Sequence, residues 1–110
     1  MIGTRTLIAT TSGGERDVLI TISNPVEDNH EWVCAYTIAW PDRNKRIEAK
    51  GIDALQANYL ALLMVGAELY TSSYHAAGKL RWEKQGEGYG FPVPAPLRHL
   101  LIGEDRKFDA

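Results

Sequence analysis

Cysteine is nearly absent from this chain: Cys34 stands alone among 110 residues. A single thiol excludes an internal disulfide and any zinc site built on paired cysteines, and it suits a reducing compartment. Long apolar runs are missing as well. The longest, Tyr59 to Ala67, is nine residues, far short of the ~18–20 that span a bilayer. The first ten residues carry one arginine and no apolar run, so they do not read as a signal peptide. The expectation is a cytoplasmic protein with no membrane association. A basic excess is lacking too, with 12 Lys and Arg against 14 Asp and Glu and a net charge of −2. That argues against nucleic acid, whose phosphates call for a basic patch or stripe. Arg43, Lys45 and Arg46 cluster, but beside Asp42 and Glu48, as in a solvated turn and strand.

What is present is ordinary for a folded protein: 45% hydrophobic and 24% charged residues. The length allows one core. Residues 1–102 are expected to form a single α+β domain, with 103–110 as a charged, disordered tail.

The first half alternates with period two, the signature of strands. Thr4 to Thr10 ends in the turn residues Ser12-Gly13-Gly14, and Arg16 to Ser23 follows with Val18, Ile20 and Ile22 on one side. Asn24-Pro25 stops that run, and Glu27 to His30 reads as a loop. Glu31 to Trp40 is the clearest strand, and Lys45 to Lys50 follows the turn Pro41-Asp42-Arg43-Asn44. Short links between such runs imply an antiparallel meander. Lys79 to Lys84 reads as a fifth strand. The fold predicted is therefore α+β: an antiparallel β-meander of four to five strands, one long helix on one face, and a short C-terminal helix from Pro96 to Ile102.

The long helix is placed at Ala54 to about Ser72. Asp53 can cap it, and Gln56 stands at capping-box spacing. Leu55, Tyr59, Leu62, Leu63, Gly66, Leu69 and Tyr70 share a face at 100° per residue, and this stripe is expected to pack on the sheet. The other side is also apolar: Ala57, Leu60, Ala61, Met64 and Val65 are read as a contact surface for a second subunit, with the C-terminal helix as the alternative cover. A homo-oligomer, a dimer, is the expectation.

Chemistry-bearing motifs are scarce. Gly86-Glu87-Gly88-Tyr89-Gly90 lacks the spacing and the following helix of a dinucleotide loop and reads as a turn. His30, His75 and His99 have no partner at a ligand spacing, so no metal and no cofactor are expected. Cys34, flanked by Trp32 and Tyr36, reads as a buried structural residue. No residue is assigned a catalytic role. On the strand Glu31 to Trp40, Trp32, Tyr36 and Trp40 share a face. If the smaller Val33, Ala35 and Ala39 meet the helix, the aromatic row is exposed as a recognition surface; the reverse assignment buries it.

Gly51-Ile52-Asp53-Ala54-Leu55-Gln56-Ala57, Leu60-Ala61-Leu62, Gly78-Lys79-Leu80-Arg81-Trp82 and Gly88-Tyr89-Gly90-Phe91-Pro92 carry a resemblance. Over about residues 16 to 94 the chain resembles a family of small bacterial single-domain proteins classed as a domain of unknown function. The resemblance implies bacterial origin and a stand-alone domain, and it brings no site residues. The reading that follows is a non-enzymatic interaction or binding domain with a protein partner, of the inhibitor or immunity type. A small enzyme with dispersed site residues, or at a dimer interface, and a purely structural homo-oligomer are the alternatives.

Overall fold

Each period-two run of the first half becomes a strand in the computed structural model, which describes residues 1–107. β1 (Gly3–Thr11) and β2 (Gly14–Ile22) form a hairpin, and β4 (Glu31–Trp40) pairs along its whole length with β5 (Arg43–Gly51). β2 pairs with the second half of β4, from Leu19 opposite Ala39 to Ile22 opposite Tyr36. The first half of β4 pairs instead with β3 (Val26–Asp28), which the sequence reading took for the start of a loop. Asn29 and His30 turn the chain with φ of 55° and 71°, the double positive φ that lets a two-residue hairpin form. The sheet runs β5-β4-β2-β1-β6, every ladder antiparallel. The expected α+β meander is therefore present, with six strands among the described residues. β6 is only Leu80–Arg81, because Glu83 takes a φ of 59° and the chain doubles back with Trp82 opposite Lys84.

α1 spans Ala54–Tyr70. Asp53 Oδ1 accepts the Gln56 N–H at 2.8 Å, and Gln56 Oε1 accepts the Ile52 N–H at 2.8 Å, so both side chains satisfy donors that the first turn leaves free. After Tyr70 the chain re-enters a short helix, α2 (Ser73–Ala76), capped by Ser72, whose Oγ accepts the His75 N–H at 3.1 Å.

Gly66, Leu69 and Tyr70 of the expected stripe are buried, but the first half of the helix is turned away from the expectation. Ala57, Ala61 and Val65 are fully buried beneath it, whereas Leu55 is 81% exposed and Tyr59 lies mostly in solvent. Volume explains the orientation. The inward row of β4 is Cys34, Tyr36, Ile38 and Trp40, all buried, with Trp32 partly buried against the same core. Large side chains below leave room only for small ones above. At the helix start the approach is tighter still: a Cβ on Gly51 would lie 2.5 Å from the Ala57 nitrogen. Glu68 meets Lys45 at 2.6 Å and accepts a hydrogen bond from the Tyr36 hydroxyl.

The rest of the core is closed by the C-terminal segment. Tyr89, Phe91, Val93 and Leu101 are buried beside Leu7, Ala9, Val18 and Ile20. This strap runs so close to α1 that a Cβ on Gly66 would sit 1.8 Å from the Pro92 carbonyl oxygen. The expected helix at Pro96–Ile102 is a 3₁₀ segment, Ala95–Leu100. Residues 103–107, read as the start of a disordered tail, form α3 (Gly103–Lys107). The remainder of that tail, 108–110, lies outside the described residues. Among the described residues no helix is long and apolar enough to cross a membrane.

Candidate functional site

Four elements converge at the end of α1. Tyr70 from α1, His75 from α2 and Tyr89 from the glycine loop form a ring cluster with centroids 4.8 to 5.5 Å apart. Asp105 of α3 knots them together. Its Oδ2 accepts the Tyr89 N–H at 2.7 Å and the Tyr70 hydroxyl, and its Oδ1 accepts the Gly90 N–H at 2.7 Å. His75 Nδ1 bonds the Tyr89 hydroxyl. Burial lowers the His75 pKa, which favours a neutral imidazole, and burial followed by the nearby Asp105 charge raises Tyr89. Burial, reinforced by the hydrogen bond to Asp105, raises Tyr70. Both Asp105 oxygens and both tyrosine hydroxyls are thus already engaged. The cluster works as a clamp that holds the glycine loop, not as a set of groups poised for proton transfer.

The clamp shapes a cavity of about 410 Å³ on its outer side, within the range of small-ligand sites. Trp82 supplies an aromatic wall, and Glu83, Glu87, Glu104 and Asp105 line it against one cation, Lys84. The loop curls tightly enough to make this wall because Gly86, Gly88 and Gly90 all adopt positive φ. Asp105 is committed to the clamp, and Glu104 to Lys107 at 2.9 Å. Among the described residues Glu83 and Glu87 form no direct ion pair, although the Glu83 charge acts on Arg5 and that of Glu87 on Lys107. Behind the wall, Arg5 shows what such groups hold. Its guanidinium lies 3.9 Å from the Trp82 ring centre and 4.9 Å from that of Phe91, donating to the carbonyls of Tyr89 at 3.0 Å and Gly90 at 3.2 Å. Burial lowers its pKa while the charges of Asp105 and Glu83 raise it; a guanidinium stays protonated regardless.

Most of this framework falls within a recognisable unit. The sequence model of a domain of unknown function, DUF6968, matches residues 3–93. The chain belongs to that family. The DUF6968 match takes in the sheet, α1, α2 and the glycine loop, and extends at its start beyond the resemblance seen from residue 16. It ends before α3, so Glu104 and Asp105 lie outside the matched residues. No curated protein and no solved structure matches the chain.

The residues singled out from the DUF6968 sequence lie elsewhere. Trp32, Tyr36 and Trp40 sit on the inward face of β4: Tyr36 and Trp40 are buried and Trp32 is partly so. The expected exposure of this row is corrected accordingly: the helix lies over the aromatic side of β4 and not over its small residues. Ala57, Ala61 and Val65 are covered by the chain's own sheet, and Leu60 and Met64 are partly buried against the core, so this is not the outer face of the helix. Cys34 is buried, its thiol raised in pKa by burial and donating to the Ser23 carbonyl at 3.3 Å. Of the histidines, only His75 joins the cluster. No group of three or more metal-binding side chains occurs among the described residues. Sequence reasoning missed Glu83, Glu87 and Asp105. Glutamates flanking a run of alternating glycines were the available signal; Asp105 had none, since only tertiary contact brings it to the loop.

Proposed function

We propose that this DUF6968 protein is a non-enzymatic interaction domain, of the inhibitor or immunity type, that receives a basic side chain of a protein partner in the Trp82–Glu83–Glu87 cavity. The observation that carries this reading is Arg5, a guanidinium held on the reverse of the same wall by aromatic faces, carbonyls and carboxylate charge. Cation–π attraction to tryptophan and charge-assisted hydrogen bonds to carboxylates both favour an arginine or lysine head. The cavity is large enough for one such side chain, and the Asp105 clamp holds it open beforehand, which reduces the ordering cost of binding.

The test is a titration of the ¹⁵N-labelled protein with a short arginine-containing peptide, with a glutamine counterpart as control. Saturable shifts are expected at the Trp82 indole N–H and the Gly88 and Gly90 amides, weakened at least tenfold (about 1.4 kcal/mol) by the double substitution Glu83→Gln/Glu87→Gln. Equal affinity for both peptides, or shifts that survive the double substitution, would sink the proposal.

A further inference from the structure

β5 is an edge strand. Its nine residues pair with β4, and among the described residues no strand pairs with its other side. Which backbone groups that side presents follows from the ladder. The Ala35 carbonyl accepts the Ser23 N–H at 2.9 Å, so the odd-numbered residues of β4 point their backbone groups away from β5 and the even-numbered ones toward it. Tyr36 stands opposite Ile47, and Ile38 opposite Lys45. Lys45, Ile47 and Ala49 therefore bond to β4, while the N–H and C=O groups of Asn44, Arg46, Glu48 and Lys50 face outward. Such a row is a template for one more strand.

The charges of β5 select what pairs with it. In an antiparallel pair of two β5 strands the outward-facing residues must oppose one another, which leaves only registers two residues apart. With the two-fold axis at Ile47, Arg46 of each copy lies opposite Glu48 of the other. Asn44 then faces Lys50, Lys45 faces Ala49, and Ile47 meets its own counterpart, so no like charges are opposed. Moving the axis to Glu48 opposes that residue to itself and Arg46 to Lys50; moving it to Arg46 opposes two arginines. Like charges directly opposite destabilise a sheet. Arg46 and Glu48 already pair within the chain at 3.3 Å, so the second copy closes a square of alternating charges. Lysine on an edge ordinarily guards it against pairing, but Lys45 is held by Glu68 at 2.6 Å and Lys50 lies 4.0 Å from Glu31.

The helix layer fits the same arrangement. α1 packs over both β4 and β5, and Glu68 reaches Lys45 of one strand and Tyr36 of the other. With strands about 4.8 Å apart, a helix centred over that pair lies about 4.8 Å from the two-fold axis and about 9.6 Å from its copy. Packed helices are spaced by about 8–10 Å. Met64 and Leu60, four and eight residues before Glu68, share its side of the helix and are only partly buried, as is Ile47 on the axis. We infer that two copies of the chain join through β5 in this register, giving one continuous sheet with both α1 helices side by side on one face.

Sedimentation and light scattering on the full chain test this. The parent is expected at twice 12.2 kDa at high micromolar concentration. Arg46→Glu and Glu48→Arg, both at exposed side chains, each oppose like charges across the axis and are expected to weaken the dimer about tenfold or more. Combining the two substitutions swaps the pair and is expected to restore it. Single variants that dimerise as the parent does, or a double variant no tighter than the singles, overturn the inference. A parent that stays at 12.2 kDa overturns it as well and leaves the edge to a strand of a different protein. Amide exchange locates the contact without any substitution. The Arg46 and Glu48 N–H groups are expected to gain protection as the parent is concentrated, and equal exchange at both ends of the range refutes pairing through β5.

Discussion

Replacing Gly66 by alanine separates helix propensity from packing, because the two act in opposite directions. In an exposed helix interior the change stabilises by about 1 kcal/mol. Here the new methyl would lie 1.8 Å from the Pro92 carbonyl oxygen, 2.9 Å from its carbon and 3.2 Å from Val93 Cγ1. The first two are backbone atoms, so no side-chain rotation relieves the contact. Ordinary carbon–oxygen contact begins near 3.3 Å, so strap and helix must separate by about 1.5 Å. That displacement loosens Phe91 and Val93, which flank Pro92 and are both buried. Fully exposing either would cost about 1.5–3 kcal/mol, and forced overpacking costs about 1–3 kcal/mol. After the propensity gain, the expected net loss is ~2 kcal/mol. For a domain near this size each kcal/mol moves the midpoint by about 4 °C or more, so thermal unfolding should show a drop of roughly 8 °C. An unchanged or higher Tm for Gly66→Ala would mean that the strap is not seated on α1 as described.

Two further outcomes follow from the local contacts. Asp53→Ala removes the acceptor for the Gln56 N–H and should lower stability by about 1 kcal/mol, read from urea midpoints; equal midpoints would show that Asp53 does not cap. His75 has a pKa lowered by burial, so the unfolded chain binds its proton first, below about pH 6.5. Stability should hold above that value and decline as the pH falls toward the folded pKa. His75→Gln, which retains an acceptor for Tyr89, should reduce that loss; identical slopes for the two proteins between pH 7 and 5 would exclude His75 as its source.

The strand Glu31–Trp40, its hairpin partner β5, the β1–β2 hairpin and the cap at Asp53 were legible in the sequence, because each rests on local rules. Period-two alternation, turn residues and a capping side chain act within a few positions of chain. The orientation of α1 was not legible. With Leu55 and Leu62 on one side and Ala57, Ala61 and Val65 on the other, the helix is apolar in every direction, and hydrophobicity alone has no preferred face. What turned its first half was volume: Tyr36, Ile38 and Trp40 fill the layer, so the small Ala57, Ala61 and Val65 lie inward there, while Leu69 and Tyr70 are buried at its end. The same cause misled the reading of the aromatic row, whose exposure depended on which face the helix took.

The cavity shows the same division. Its glycines announced a turn, yet Asp105 reaches Tyr89 and Gly90 only after α3 folds back across sixteen positions of sequence. Gly66, too, looks like a helix weakness until Pro92 is seen against it. The sequence by itself determined the main elements, β1, β2, β4, β5 and α1, and their order, since backbone geometry and local hydrogen bonds are set by near neighbours. Only the tertiary structure decided which faces are inside, because that choice depends on fitting the volumes of residues far apart in the chain.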